Sequence, residues 1–270
     1  MLWRGLVAGA NGAATGLGLY PFVPALGLRM FAREPGVARL RPRDQALEWG
    51  ASVAGVLSRP LGFLGDRLTR AKGPRPIIVV HGYAMNRACF QGLALRLAAA
   101  KLGPVYGFEY WSLGKVSSAS QRLDEFIESV CQTHGCEQVD IIGHSMGGLV
   151  GRYYLTLGRG RKLGRVANLI TLGTPHGGSV FSGFGIGRAK VELAPRTPLF
   201  QRLSSAKLPE NVGLTVIWSR ADVLVASHRQ ARWAGAEELV HDNLGHVSLL
   251  YSRRVAKQII ERLSRPRQRA

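Results

Sequence analysis

A ten-residue stretch near the middle of the chain constrains the fold most strongly. Residues 139–142, which are mostly β-branched and apolar, predict a buried strand, and residues 143–147 match the pattern G-x-S-x-G. A helix is expected from Gly148. The turn between them strains the backbone of Ser145, and glycine two positions before and after removes side chains that would crowd it. The stretch therefore predicts a nucleophilic serine at the end of a sheet.

The segments around this turn alternate between the strand and helix patterns that are typical of a parallel sheet. Residues 176–212 lack clear periodicity, so we expect an insertion there. Strands are predicted at 77–80, 105–111, 139–142, 166–172, 214–218 and 238–240, and helices at 86–101, 118–133 and 247–263. We expect one α/β domain at residues 75–264, followed by a basic tail at 265–270.

Three motifs carry a resemblance to a known family. The sequence IIGHSMGG at 141–148 resembles the nucleophile elbow of α/β-hydrolase lipases and esterases of the bacterial triacylglycerol lipase type. His81-Gly82 resembles the lipase His-Gly pair, and the sequence GTPH at 173–176 resembles a lipase segment that follows the elbow. The resemblance covers residues 76 to about 264. It implies an α/β-hydrolase fold and hydrolysis of carboxylic esters through an acyl-enzyme intermediate.

Such a serine needs a general base and an orienting acid, and in this family both follow the serine along the chain. Asp222 lies directly beyond a predicted strand, where the carboxyl edge of the sheet would place it beside the elbow. His246 lies in a glycine-containing loop before the last helix, which resembles the position of the family's base. The competing candidates are Asp242 for the acid and His176, His228 or His241 for the base.

The oxyanion hole requires two backbone N–H donors. The resemblance places one at Met146, directly after the nucleophile, and the other at Tyr83, in the loop after the first strand of the domain. The remaining elbow and pocket positions are His81, Gly82, Gly143, His144, Gly147 and His176. We expect His176 to line the floor of the pocket, and we assign no proton chemistry to His144 or Met146. We predict neither a cofactor nor a metal site, because the few aspartates do not cluster after Asp222.

The insertion at 176–212 carries apolar residues along its length. It is expected to form either a short mobile lid over an acyl pocket or a small cap packed permanently on the domain. Together with the GTPH segment, it favours esters with a fatty acyl chain. Acyl transfer, amide cleavage and thioester cleavage use the same triad and stay open. The alternative to an enzyme is a membrane-associated protein that uses the same fold for binding and has no catalytic activity.

Residues 1–74 predict an apolar, basic, helical extension. Residues 5–28 contain no charge but include several glycines and two prolines, so a membrane anchor, a packed soluble extension and an export signal all stay open. Residues 45–65 form a second apolar stretch. The chain has a net charge of +19, concentrated at its two ends, which suits either contact with an anionic membrane surface or an arginine-rich surface that faces solvent. If residues 5–28 span a membrane, the arginines that follow them would hold the domain on the cytoplasmic side. No recognition motif for nucleic acid is present.

Overall fold

The computed structural model describes residues 40–179, 182–183, 187–225 and 228–265. The uncharged segment at residues 5–28 lies outside the described residues, as does most of the basic tail. The strands are β1 Ile77–Val80, β2 Val105–Phe108, β3 Val139–His144, β4 Val166–Leu172, β5 Gly213–Ser219 and β6 Glu237–His241. The helices are α1 Pro42–Leu57, α2 Gln91–Ala99, α3 Val116–His134, α4 Met146–Thr156, α5 Gly160–Leu163, α6 Gly187–Leu193, α7 Pro198–Ser205, α8 His228–Ala231, α9 Ser248–Tyr251 and α10 Arg253–Leu263.

The six strands form one parallel sheet in the order β2-β1-β3-β4-β5-β6. Every residue of β1, β2 and β3 is buried, as the continuous apolar runs of these strands predict. The predicted α/β architecture with a parallel sheet is therefore confirmed. Because all strands run in one direction, their carboxyl ends meet at the same edge, and the loops that follow β1, β3, β4, β5 and β6 gather there.

Helices cover both faces of the sheet. One face packs against α3 and α4 through side chains such as Leu123, Ile127 and Leu149, and the other packs against α2, α9 and α10. The last predicted helix is interrupted at Ser252. Its hydroxyl accepts a hydrogen bond from Val255 N at 3.3 Å, which caps a new helix after α9.

The described part of the insertion packs on the domain. Leu199, Phe200 and Leu203 of α7 are buried in the core cluster beside α4. The carboxylate of Glu192 accepts a hydrogen bond from Val116 N at 2.7 Å, which ties α6 to the start of α3. These contacts are those of a cap seated on the domain. Whether it opens as a lid stays a prediction.

The segment before β1 also packs on the domain. The 3-10 helix Arg59–Phe63 meets the segment after β1, where Arg87 Nη2 donates to Gly62 O at 2.6 Å and Asn86 Nδ2 donates to Arg59 O at 3.1 Å. Helix α1 contacts α9. The boundary at residue 74 stays a prediction, but residues 42–63 are joined to the domain that follows it. Across the described ranges, every helix is too short or too polar to cross a bilayer.

Candidate active site

Ser145 lies in the sharp turn between β3 and α4. Its backbone angles are φ 53° and ψ −125°, a strained conformation for a residue other than glycine. Ser145 N donates to Leu172 O at 2.8 Å, so the turn is fixed to the carboxyl end of β4. The side chain is half-buried, whereas its neighbours on both sides are buried. The turn therefore presents one reactive hydroxyl at the edge of the sheet.

Each of the two glycines of the motif is required because a side chain there would clash with a different part of the backbone. A Cβ atom at Gly147 would lie 2.1 Å from the carbonyl oxygen of Val80 in β1, and one at Gly143 would lie 2.6 Å from the Cα of Gly148. Real Cβ atoms do not approach backbone atoms this closely. Glycine is therefore required because the elbow is pressed against β1 and against the start of α4, rather than by crowding at Ser145 itself.

The structure brings Asp222 and His246 together beside the elbow. Asp222 follows β5, and its Oδ2 lies 2.8 Å from Nδ1 of His246. Its Oδ1 accepts hydrogen bonds from Leu224 N at 3.0 Å and Val225 N at 3.2 Å. Both oxygens of this buried carboxylate are thus used. Asp222 can orient the imidazole and stabilise its positive charge.

His246 is also fixed to the residue before the nucleophile. His144 Nε2 donates to the carbonyl oxygen of His246 at 3.0 Å, and the two ring centroids are 4.7 Å apart. Burial alone would lower the pKa of His246, but the charge and hydrogen bond of Asp222 outweigh burial and raise it. Burial lowers the pKa of His144 well below its usual value, with a smaller contribution from His246. His144 is therefore a neutral hydrogen-bond donor.

The predicted oxyanion loop lies against the elbow. A Cβ atom at Gly82 would be 2.9 Å from the Cβ of Ser145, so only glycine lets the loop backbone approach this closely. Tyr83 follows in the same loop. Met146 is the first residue of α4, so its N–H has no intrahelical carbonyl acceptor. Both predicted donors thus lie in segments that adjoin Ser145.

The buried side chain of His81 helps to hold this loop in place. Its Nε2 lies 3.0 Å from Oε1 of Glu109, with both side chains fully buried, and its ring stacks on Tyr110 at 4.5 Å. The Tyr110 hydroxyl donates to His81 O at 2.7 Å. Burial would raise the pKa of Glu109, but His81 and Arg87 outweigh burial and lower it. The buried contact between His81 and Glu109 holds the loop in place.

His176 lies in a buried polar cluster behind the elbow helix. Its Nε2 is 3.0 Å from Thr171 Oγ1, and its carbonyl accepts from Arg152 Nη1 at 3.1 Å. Arg152 of α4 also stacks over Trp233 at 4.8 Å and donates to Leu203 O at 2.9 Å. Burial and then Arg152 lower the pKa of His176 well below its usual value. His176 is therefore neutral and is held in place by Thr171 and Arg152.

The competing candidates are engaged elsewhere. Asp242 forms an exposed ion pair with Arg220, and His241 Nε2 lies 2.9 Å from Gln258 Oε1 on α10. The ring of His228 packs at a tilt against that of Trp218, with the centroids 5.1 Å apart. Of the acids and histidines considered, Asp222 and His246 are the two that pair with each other at the elbow.

Three buried charged residues near the site were not identified from the sequence. They are Glu109 below the oxyanion loop, Arg152 on the elbow helix, and Glu48 of α1, whose carboxylate accepts hydrogen bonds beside His246. None belongs to a recognisable motif. The available signal was that Glu48 is an acid inside an apolar stretch.

The chain is similar to known proteins in sequence and in fold. Residues 115–233 match the family model described as a PGAP1-like alpha/beta domain. A triacylglycerol lipase of Burkholderia plantarii is 28% identical over 167 residues, covering 54% of this chain and 44% of the relative. A triacylglycerol lipase of Pseudarthrobacter phenanthrenivorans is 38% identical over 122 residues, covering 40% and 35% respectively.

The chain thus spans less than half the length of these curated relatives. The mature form of a Bacillus licheniformis lipase superposes with a TM-score of 0.62 at 15% identity, covering 72% of this chain and 94% of that one, which supports the fold. The parallel sheet, the strained serine turn and these likenesses lead to one conclusion. The chain is an α/β-hydrolase-fold protein that resembles lipases and esterases.

Proposed function

We propose that the protein hydrolyses carboxylic esters of acyl lipids, with Ser145 as nucleophile, His246 as general base and acid, and Asp222 as orienting acid. The observation that carries this proposal is the buried Asp222–His246 pair next to a serine held at φ 53°. Fold stability does not require that combination, because a strained serine and a buried ion pair both cost free energy. Such costs cluster at functional sites.

The proposed reaction proceeds in two halves. Ser145 Oγ attacks the ester carbonyl carbon while its proton moves to Nε2 of His246, and the backbone N–H groups of Tyr83 and Met146 stabilise the oxyanion. The C–O bond to the alcohol breaks, and the alcohol leaves with the proton from His246. A water molecule then gives a proton to His246 and attacks the acyl carbon. The bond between that carbon and Ser145 Oγ breaks, His246 returns its proton to Ser145 Oγ, and the acid leaves.

A fatty acyl substrate is supported by the surroundings of the loop. Tyr110, which supports the His81 loop, also lines a groove of about 640 Å³. The groove combines apolar and cationic groups, among them Trp111, Leu113, Lys115, Arg122 and Arg188. An acyl chain with an anionic or polar head group fits this composition. The printed names of the curated relatives point to the same substrate class.

The proposal predicts activity on p-nitrophenyl esters, with a preference for long over short acyl chains. Wild-type protein should be assayed on a series from acetate to palmitate, with matched p-nitroanilides and an added alcohol acceptor. Faster cleavage of the longer esters would support the acyl-lipid assignment. Faster cleavage of the acetate than of the palmitate would indicate a short-chain esterase. Cleavage of the anilides, or acyl transfer to the alcohol, at a higher rate than ester hydrolysis would contradict the proposed function.

We further propose that the protein docks on an anionic lipid surface through helix α1 and the 3-10 helix that follows it. Beyond Arg43, the exposed positions of α1 are all uncharged, while its two acids, Asp44 and Glu48, are buried. A soluble helix normally has the opposite arrangement. Large apolar side chains are exposed along this surface at Leu47, Val53, Leu57, Leu61, Phe63 and Leu64. Exposed arginines lie at both ends of this apolar surface and would attract anionic head groups. They are Arg41 and Arg43 at one end and Arg67 and Arg70 at the other.

The double substitution Leu57→Ser/Leu64→Ser is expected to weaken binding to anionic vesicles by about a hundredfold or more. Each leucine that leaves water contributes about 1.5–3 kcal/mol. Full-length protein should sediment with vesicles that contain phosphatidylglycerol, and Leu95→Ser, at an exposed leucine on α2, is the matched control. Unchanged binding of the double variant would assign membrane contact to another part of the chain, and absence of binding by the wild type would remove the proposal.

A further inference from the structure

Glu48 is an unusually buried carboxylate in the segment before the hydrolase domain. Its residue is 2% exposed, although it lies on a helix whose outer face is apolar. Buried acids are rare unless they are paired or hydrogen-bonded, because removing a charge from water is costly. The position of Glu48 therefore needs a compensating contact, and the loop that carries His246 provides it.

Both oxygens of Glu48 are used by that loop. Oε1 accepts a hydrogen bond from Val247 N at 2.8 Å, and Oε2 accepts one from Ser248 N at 2.8 Å. Val247 is the residue directly after His246. The other side of the same loop is fixed by His144, which donates to the carbonyl of His246. The backbone of His246 is thus held from β3 on one side and from α1 on the other.

Gly245 shows how closely the carboxylate fits. A Cβ atom there would lie 2.3 Å from the carboxyl carbon of Glu48 and 2.4 Å from its Oε2. Gly245 does not have a positive φ, so its backbone would accept a side chain. Glycine is therefore needed at this position to leave room for Glu48.

We propose that Glu48 is a positioning residue for His246, which fixes the backbone of the histidine loop and adds a second negative charge that stabilises the imidazolium formed during the reaction. This inference rests on the proposed function. It gives α1 a part in the active site that neither the sequence motifs nor the comparisons assign.

The charged groups around His246 support this role. Asp222 faces it from the loop after β5, His144 from the end of β3, and Glu48 from α1. Asp222 and Glu48 both act to raise the pKa of His246, whereas burial lowers it. His144 is neutral and adds no charge. Burial raises the pKa of Glu48 itself, while the two N–H groups and His246 favour its ionised form.

The test is the pH profile of kcat/KM for wild type and Glu48→Gln. The base must be neutral to accept the proton of Ser145, so activity falls as the pH drops through the pKa of His246. Removing the charge of Glu48 lowers that pKa, and the acid limb should therefore move to lower pH. The plateau should fall about ten- to a hundredfold, because the imidazolium loses a nearby negative charge.

Asp44→Asn is the matched control, since Asp44 is also a buried acid of α1, one helical turn earlier. It should leave the midpoint of the acid limb in place. A Glu48→Gln profile that falls in height with an unchanged midpoint would reduce Glu48 to a structural residue and overturn the proposal. A profile identical to that of wild type would do so as well.

Gly245→Ala is a second test, because it keeps the carboxylate of Glu48 but moves it away from the His246 loop. In the wild-type background it should lower kcat/KM about tenfold or more and move the acid limb to lower pH. In a Glu48→Ala background it should have little further effect, because the clash is gone. Equal effects of Gly245→Ala in both backgrounds would contradict the contact. Activity that survives Ser145→Ala would instead show that the proposed function has failed, so the two failures are distinguishable.

Discussion

Replacing Ser145 by alanine is expected to lower kcat for ester hydrolysis by about 10⁴- to 10⁶-fold while the fold is retained. Ser145 supplies the hydroxyl that the elbow holds at φ 53°, so without it the acyl-enzyme cannot form. Alanine and serine have similar strain at positive φ, and the hydrogen bond from the backbone of residue 145 to Leu172 is independent of the side chain. Steady-state assays of both proteins on the preferred p-nitrophenyl ester measure the loss.

The thermal midpoint of Ser145→Ala serves as the control for folding and should match that of wild type. The small remaining rate reflects binding and the oxyanion hole, which the substitution leaves in place. Equal rates in two equally stable proteins would show that the hydrolysis observed does not use this serine, and would leave the elbow without a catalytic role.

Asp222→Asn should lower kcat by about 10⁴-fold, as in other Ser-His-Asp triads. The introduced side-chain amide can donate to Nδ1 of His246, and the imidazole then carries its proton on Nε2, where it cannot accept the proton of Ser145. The hydrogen bonds from Leu224 N and Val225 N reach the other oxygen, Oδ1, and can persist. The measurement is kcat for wild type and variant at the optimum pH.

The matched control is Asp242→Asn, which removes an exposed acid in an ion pair with Arg220. Exposed ion pairs contribute little, so this variant should retain wild-type activity. The double variant Ser145→Ala/Asp222→Asn should be no slower than Ser145→Ala alone, because the triad acts as a unit. Wild-type activity in Asp222→Asn, or a large loss in Asp242→Asn, would mean that the acid is misassigned.

The pH dependence of folding follows from the same pair. The pKa of His246 is raised in the folded protein, so its contribution to stability is fully present below the pKa of the unfolded chain and is lost as the pH rises through the folded value. Catalysis has the opposite dependence, since it needs the neutral ring. The Asp222–His246 pair therefore contributes most to stability at the pH values where the proposed reaction is slowest.

The parts of the fold that were predictable are those with local signals. Strands β1 and β4 begin and end at the predicted residues, because short apolar runs bounded by glycine or proline specify buried strands. The elbow was predictable because its glycines, its serine and the flanking elements are contiguous in sequence. Asp222 was expected from its place directly after a strand and His246 from its resemblance to the family's base position, and the structure places them 2.8 Å apart.

The remaining contacts were not predictable because they join residues far apart in sequence. Glu48 meets Val247 across 199 positions, and nothing near either residue signals the contact. Arg152 has the charge expected of a surface residue on a helix, yet it is buried against His176 and Leu203 of the insertion. The break at Ser252 depends on a single side-chain cap within an otherwise helical pattern.

Covalent labelling is the sharpest test of whether Ser145 is an activated nucleophile. Folded wild-type protein should be reacted with a fluorophosphonate, weighed intact by mass spectrometry, and mapped by peptide digestion. We expect one adduct per chain, on the peptide that contains Ser145, and no adduct on Ser145→Ala. A folded wild-type protein that stays unlabelled, or that is labelled at another serine, would contradict it.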